Sequence, residues 1–160
     1  MTAYPAVQIA VSSDATEIAE MSRDLIEYGL PWSWRTERVA KAIAASHINV
    51  AVVREQSNLI AFGIMEYWVE DAHLVLFAVR PEHQRRGTGS TLLCWLENSA
   101  KVAGSQRIRV EARRGNLDAR SFYNEHGYHE RFIAHRMYSG AVDGVRLEKW
   151  LRVVTAVSDA

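Results

Sequence analysis

A short segment with two closely spaced glycines separates an apolar run from a long amphipathic stretch. The segment runs from Val79 to Gly89 and contains the spacing Q-x-x-G-x-G. The apolar residues of 72–79 predict a central strand covered on both faces, which Pro81 ends, and a helix is predicted from Thr88 to Ala103. A buried strand, a glycine loop and a helix in this order predict a sheet with helices packed against it.

The glycine loop predicts an anion site. Two glycines let the backbone turn tightly, so that consecutive N–H groups and the positive helix end can hold phosphate oxygens. A nucleotide-hydrolysing P-loop needs Lys and then Ser or Thr after its last glycine, whereas Ser90 follows Gly89. The dinucleotide fingerprint needs a third glycine where Leu92 stands. A pyrophosphate is left as the expected ligand, without Mg²⁺ or nicotinamide machinery.

The rest of the chain predicts a single domain over residues 1–160, of mixed α and β structure. The first helix is predicted to begin at Ser12 and to stop at Gly29, and a second helix begins at Thr36. The other predicted elements are strands at 49–54, 59–69 and 107–113, a helix capped by Asn116, and final strands near 128–137 and 145–153. The pattern is one sheet with helices on both faces.

Composition excludes several classes of protein. Hydrophobic residues make up 48% and charged residues 24%, which fits neither a disordered nor a membrane protein. Lys plus Arg and Asp plus Glu both total 19, so no net charge favours nucleic acid or an anionic membrane. The single cysteine, Cys94, excludes an internal disulfide and a thiolate metal cluster. We therefore expect a cytoplasmic protein without a metal, since no export signal is recognisable.

The glycine loop resembles the coenzyme A pyrophosphate signature of the GNAT superfamily of N-acetyltransferases. A second segment, residues 116–128, reads NLDARSFYNEHGY and is similar to the superfamily's N-x-x-A-x-x-F/L-Y-x-x-x-G-F/Y element. The resemblance covers residues 49–153, while the N-terminal helices match only in kind. It implies an α/β fold whose mostly antiparallel sheet of six or seven strands has a splayed central pair of strands that binds the cofactor.

The resemblance implies that acetyl-coenzyme A is the cosubstrate. The backbone of Phe77, Ala78 and Val79 would pair with the pantetheine amides as an added strand. Asn116 would cap its helix and also contact the pantetheine arm. The pyrophosphate would be held by the loop residues Gln84, Arg85, Arg86, Gly87, Thr88, Gly89 and Ser90.

Attack of a neutral amine on a thioester calls for a general base and a general acid. Tyr123 matches the superfamily's usual acid and lies two turns from Asn116 on the same helix face. The alternative is that Tyr123 is a core aromatic residue.

Two carboxylates are candidates for the base, and the sequence leaves the choice open. Glu111 lies twelve residues before the tyrosine, where ribosomal-protein alanine N-acetyltransferases carry a glutamate, but it also fits a solvated strand position. Glu66 shares a strand face with apolar residues, where burial would raise its pKa. A third route is a water relay through Glu70, Asp71 or His73 near the start of the central strand.

Aromatic residues predict the acceptor pocket, with packing between helix and sheet as their alternative role. They are Trp32, Trp34, Tyr67 and Trp68. The predicted acceptor is a small-molecule amine, and the alternatives are a protein N-terminus, a lysine, or a non-catalytic coenzyme A sensor. No motif in the N-terminal helices or in residues 138–144 identifies the acceptor. A homodimer through the C-terminal strands is consistent with the resemblance.

Overall fold

The computed structural model describes residues 5–138, 140 and 142–151. The strands are β1 (Val7–Ile9), β2 (Ile48–Glu55), β3 (Asn58–Tyr67), β4 (Asp71–Val79), β5 (Arg107–Arg113), β6 (His129–Tyr138) and β7 (Val142–Trp150). The helices are α1 (Ala15–Leu25), α2 (Thr36–Ala44), α3 (Thr88–Val102) and α4 (Leu117–Glu125). Short 3₁₀ turns lie at Ser12–Asp14 and Pro81–His83.

The strands form one sheet in the order β1-β2-β3-β4-β5-β7-β6, and β4 and β5 are its parallel pair. The other neighbours are antiparallel. One core cluster packs α3 and α4 against the sheet through residues such as Leu92, Leu96 and Tyr123. A second cluster packs α1 and α2 through residues such as Ile18 and Phe62. The predicted mixed, mostly antiparallel sheet with helices on both faces is confirmed.

The two central strands separate before they end. Pairing between β4 and β5 stops at Leu74 and Val110. However, β4 continues to Val79 and β5 continues to Arg113. Backbone groups on the facing edges therefore have no strand partner beyond this fork, which is the splayed arrangement that the resemblance implies.

A β-bulge in β4 coincides with the fork. Ile64 of β3 pairs with Leu76, but Met65 pairs with Leu74, so Val75 is the extra residue. A bulge bends its strand and re-aims the side chains beyond it. As a result Leu74 belongs to the core cluster under α3, whereas Leu76 belongs to the cluster under α1 and α2.

Several elements differ from the sequence predictions. The strand expected over 59–69 ends at Tyr67, and α1 begins at Ala15 instead of Ser12. The first helix was expected to reach Gly29 but ends at Leu25, and Tyr28 is half-exposed instead of buried on its apolar stripe. Strand β1 was not predicted, because a strand of three residues is too short to show alternation. The last strand was expected to reach Val153 but ends at Trp150, and residues 152 and 153 lie outside the described residues.

Candidate active site

The glycine loop is held in a turn that exposes its backbone. Arg85 and Gly87 have φ angles of 62° and 84°, in the left-handed region, and Gly87 caps α3. The side-chain amide of Gln84 donates a 2.9 Å hydrogen bond to the carbonyl of Val79, which fastens the loop to the end of β4. Left-handed turns of this kind, next to a helix N-terminus, form concavities of N–H groups that bind anions.

A side chain at Gly89 would be crowded by neighbouring side chains. A Cβ at this position would lie 3.2 Å from the Phe122 ring and 3.5 Å from Cγ2 of Val79. The first turn of α3 therefore passes directly over α4 and β4. Glycine at this position is therefore explained by packing against Phe122 and Val79.

A groove with a volume of about 740 Å³ runs from the glycine loop toward the fork. We call it the cofactor groove. Most of the predicted cofactor-binding residues line it, namely Phe77, Ala78, Val79, Gln84, Arg85, Gly87, Gly89, Ser90, Asn116 and Tyr123. Arg86 and Thr88 belong to the same loop but do not line the groove; Thr88 is buried and Arg86 is exposed. Asn116 caps α4 by accepting a hydrogen bond from the amide of Ala119, as predicted.

A second cavity, of about 350 Å³, occupies the fork itself. We call it the fork cavity. Its walls are the segment between α1 and α2, the separated parts of β4 and β5, and the end of β6. Tyr28, Phe77, Asn116 and Tyr123 line both the fork cavity and the cofactor groove. The two spaces are therefore neighbours that meet at these side chains.

Tyr123 stands where the groove and the cavity meet. Its ring makes edge contacts with Phe77, Phe122 and Tyr128 at centroid distances of 6.3, 5.4 and 5.6 Å. Burial raises the pKa of Tyr123 well above its ordinary value, and the neighbouring Tyr138 and Glu111 add to this. The phenol therefore keeps its proton at neutral pH.

Glu111 lines the fork cavity, and both of its oxygens have hydrogen-bond donors. Its Oε1 lies 2.6 Å from Nε2 of His73, and its Oε2 accepts a 3.1 Å bond from Nε of Arg146. Its side chain is only 16% exposed, so the alternative of a solvated strand carboxylate does not apply. Burial opposes its ionisation, but His73 and Arg146 outweigh burial and hold the pKa of the carboxyl below its ordinary value.

Glu66 lies elsewhere. It pairs with His73 in the part of the sheet before the fork, its carboxylate is 3.5 Å from His47, and it lines neither cavity. Of the four aromatic candidates, only Trp34 lines the fork cavity.

The other three aromatic candidates take structural contacts. The Tyr67 hydroxyl accepts a hydrogen bond from Asn49, and Trp68 is half-exposed beside the ring of His73. Trp32 donates to the carbonyl of Ala19.

Comparison with known proteins now identifies the family. The model of the acetyltransferase (GNAT) family matches residues 16–128. The chain belongs to the GNAT family. It is an N-acetyltransferase, as the sequence predicts. The described residues include no helix that is long and apolar enough to cross a membrane.

The proteins similar to this acetyltransferase include several that are named as N-acetyltransferases. The [ribosomal protein bS18]-alanine N-acetyltransferase of Haemophilus ducreyi is 27% identical over 132 residues, which are 82% of this chain and 88% of the relative. The crystal structure of the ribosomal-protein-S18-alanine N-acetyltransferase from Escherichia coli superposes with a TM-score of 0.79 at 21% identity, over 97% of this chain and 99% of the other. The crystal structure of the paia N-acetyltransferase from Thermoplasma acidophilum in complex with coenzyme A superposes with a TM-score of 0.77 at 21% identity, over 94% of this chain and 100% of the other.

One feature of the acetyltransferase's fork cavity, Glu27, was missed by the sequence analysis. Glu27 follows α1, is 8% exposed, and accepts hydrogen bonds from Ser22 Oγ, from the amide and hydroxyl of Ser33, and from the amide of Trp34. Burial opposes its ionisation, but these donors outweigh burial and lower its pKa. The carboxylate thus fixes the wall that carries Trp34. No local motif marks it, because its partners lie up to seven residues away in a loop.

We expect Glu27→Gln to lower the free energy of unfolding at pH 7 by about 2 kcal/mol, because an NH₂ group would face backbone N–H donors. A folded-state pKa below the unfolded value of 4.5 stabilises the fold above that value, and the contribution is lost as the pH falls through the folded pKa. Denaturant unfolding at pH 7 and near pH 3 measures both effects. The exposed Glu20→Gln is the control, and equal stability of the two variants at pH 7 would contradict the prediction.

Proposed function

We propose that this enzyme transfers the acetyl group of acetyl-coenzyme A to the α-amine at the N-terminus of a protein. The observation that supports the transfer chemistry is that Glu111 and Tyr123 line one cavity, which adjoins the cofactor groove. The sequence analysis favoured a small-molecule amine. The relatives named for the alanine of ribosomal protein bS18 favour a protein N-terminus instead. A ribosomal acceptor would place the reaction in the cytoplasm.

The chain's own residues would hold the cosubstrate in two ways. The unpaired edge of β4 at Phe77, Ala78 and Val79 offers N–H and C=O groups to the pantetheine amides. The loop backbone between Gln84 and Ser90 offers N–H groups to the pyrophosphate. When bound in this orientation, acetyl-coenzyme A supplies an acetyl thioester at the fork.

Glu111 is proposed as the general base. An amine enters as its ammonium form, and the carboxylate accepts one of its protons: the N–H bond breaks, an O–H bond forms, and the nitrogen lone pair becomes free to attack. The carboxylate is already ionised at neutral pH because its pKa is lowered. His73 and Arg146 each occupy one lone-pair site, so the two remaining sites can receive the proton.

Tyr123 is proposed as the general acid. The sulfur that leaves the acetyl group carries a developing negative charge, and the phenol hydroxyl donates its proton to that sulfur. Its raised pKa means that the phenol is protonated, and so carries a proton to donate, at neutral pH. Asn116, two turns earlier on α4, lies on the same side and would orient the arm that carries the sulfur.

The basicity of Glu111 favours an α-amine over a lysine side chain. An α-amino group has an ordinary pKa of about 8 and a lysine amine one of about 10.4, so the proton of the α-ammonium is easier to remove by about 3 kcal/mol. A carboxylate whose pKa is lowered is a weak base, so deprotonation is a costly step and the more acidic α-ammonium is the better match for it. Trp34, Pro31 and Tyr138 in the cavity wall would pack against the first side chain of the acceptor.

An acceptor panel tests the proposal through thiol release from acetyl-coenzyme A. We expect a peptide with a free N-terminal alanine to give a kcat/KM at least about tenfold above that of spermidine, free amino acids or aminoglycosides. The matched control is the same peptide with a formylated N-terminus and an internal lysine, and it should not react. A higher rate with the formylated peptide or with a small amine would overturn the proposed acceptor. Binding of coenzyme A without turnover of any acceptor would favour the sensor alternative.

A further inference from the structure

The carboxylate of Glu111 is fastened at the fork by a residue from the neighbouring strand. His73 of β4 pairs with Arg109 of β5, one residue before strand pairing ends at Leu74 and Val110. Paired residues of neighbouring strands lie on the same face of the sheet, and Glu111 is two residues beyond Arg109. The side chains of His73 and Glu111 therefore project from the same face. Their contact, 2.6 Å between His73 Nε2 and Glu111 Oε1, joins the strands where they begin to separate.

We propose that His73 is a positioning residue for the acetyl transfer, which holds the Glu111 carboxylate in place so that it faces the fork cavity. The inference rests on the proposed role of Glu111 as the base. His73 itself lines neither cavity, so it acts through Glu111 and does not touch either substrate.

The contacts of His73 suit a fixed donor. Its side chain is 23% exposed, and the ring of Trp68 covers it at a centroid distance of 5.9 Å. Nε2 therefore faces Glu111 in a partly desolvated position, where a hydrogen bond to a carboxylate is strong. Trp68, which the sequence analysis placed in the acceptor pocket, supports this histidine instead.

The groups that face Glu111 come from several elements. Besides His73 of β4 they are Arg146 of β7, Tyr123 of α4 and Tyr138 of β6. Glu27 and Arg113 line the same cavity. The carboxylate of Glu27 accepts from Ser22, Ser33 and Trp34, and the guanidinium of Arg113 donates to the carbonyls of Ile26 and Tyr28. His73 and Arg146 are thus the donors bound directly to Glu111, and Arg146 alone would hold one oxygen only.

Two substitutions of His73 test its hydrogen-bond donor separately from the bulk of its ring. His73→Gln retains an N–H donor near the position of Nε2, whereas His73→Leu has a similar size and no donor. We expect His73→Leu to raise the pKa of the Glu111 carboxyl by about one unit and to lower kcat about tenfold. In His73→Gln, the pKa of the Glu111 carboxyl and kcat should both stay close to their wild-type values. The dissociation constant of acetyl-coenzyme A should change less than about twofold in either variant.

The Glu111 carboxyl is followed by a ¹³C NMR titration of the full chain labelled at glutamate Cδ, with Glu111→Gln providing the assignment. The control is His47→Leu, which removes a histidine 3.5 Å from Glu66 and should leave the Glu111 titration unchanged. An unshifted Glu111 titration in His73→Leu overturns the proposal. So does a loss of acetyl-coenzyme A affinity that accounts for the whole fall in rate, because His73 would then only hold the fork together.

The NMR measurement needs no acceptor, and kcat is measured with whichever amine the enzyme turns over best. A wrong acceptor would therefore leave the His73 result interpretable. If Glu111→Gln were fully active, the base assignment would fail by itself, while the titration would still report the link between His73 and Glu111.

Discussion

Replacing Tyr123 by phenylalanine is expected to lower kcat by about 10²–10³-fold, which is the usual contribution of a general acid. The substitution removes only the hydroxyl, and the ring contacts with Phe77, Phe122 and Tyr128 remain. Affinity for acetyl-coenzyme A should therefore stay within about twofold, because the groove is otherwise unchanged. Steady-state kinetics with the best acceptor, together with calorimetric binding of acetyl-coenzyme A, measure the two quantities.

Tyr128→Phe is the matched control for this experiment. The Tyr128 hydroxyl is also buried and donates a 2.8 Å hydrogen bond to Glu97, but Tyr128 lines neither cavity. We expect that control to lose stability without a comparable loss of kcat. Equal kcat for Tyr123→Phe and the wild type would show that Tyr123 is a packing residue. A parallel collapse of cofactor binding would show that the hydroxyl holds the cofactor instead of protonating it.

The cofactor side of the site could be predicted from the sequence because its determinants are local. The turn at Gly87 depends on the left-handed conformation of that residue, and Asn116 caps the helix that it precedes. Tyr123 was identified through the resemblance of residues 116–128 to the superfamily element, and helical spacing places it on the same face as Asn116. Each of these features involves residues within a few positions of one another, so spacing in the chain translates directly into distance in space.

The acceptor side could not be predicted in the same way because it depends on strand register. Alternation places Glu66 on an apolar strand face and Glu111 on the face opposite Ile108 and Val110, but it does not show which of the two carboxylates faces a cavity. The bulge at Val75 and the end of pairing at Leu74 decide which one faces a cavity. Glu66 lies before the fork and Glu111 lies beyond it.

The contact between His73 and Glu111 was hidden for the same reason. The two residues are 38 positions apart and meet only because β4 and β5 are parallel neighbours. The sequence suggested His73 as one member of a water relay, whereas in the structure His73 contacts Glu111 directly. Aromatic character alone did not locate the acceptor pocket, since Trp34 lines the fork cavity whereas Trp32, Tyr67 and Trp68 do not.

Replacing Glu111 by glutamine is expected to lower kcat by about 10²-fold, because the amide cannot accept the proton of the ammonium. In the wild type, kcat/KM should fall as the pH drops through the pKa of this carboxyl, which lies below the ordinary value of 4.5. That acid limb should disappear from the profile of the variant. Glu66→Gln is the matched control, and a large loss of rate in Glu66→Gln with normal activity in Glu111→Gln would transfer the role of base to Glu66.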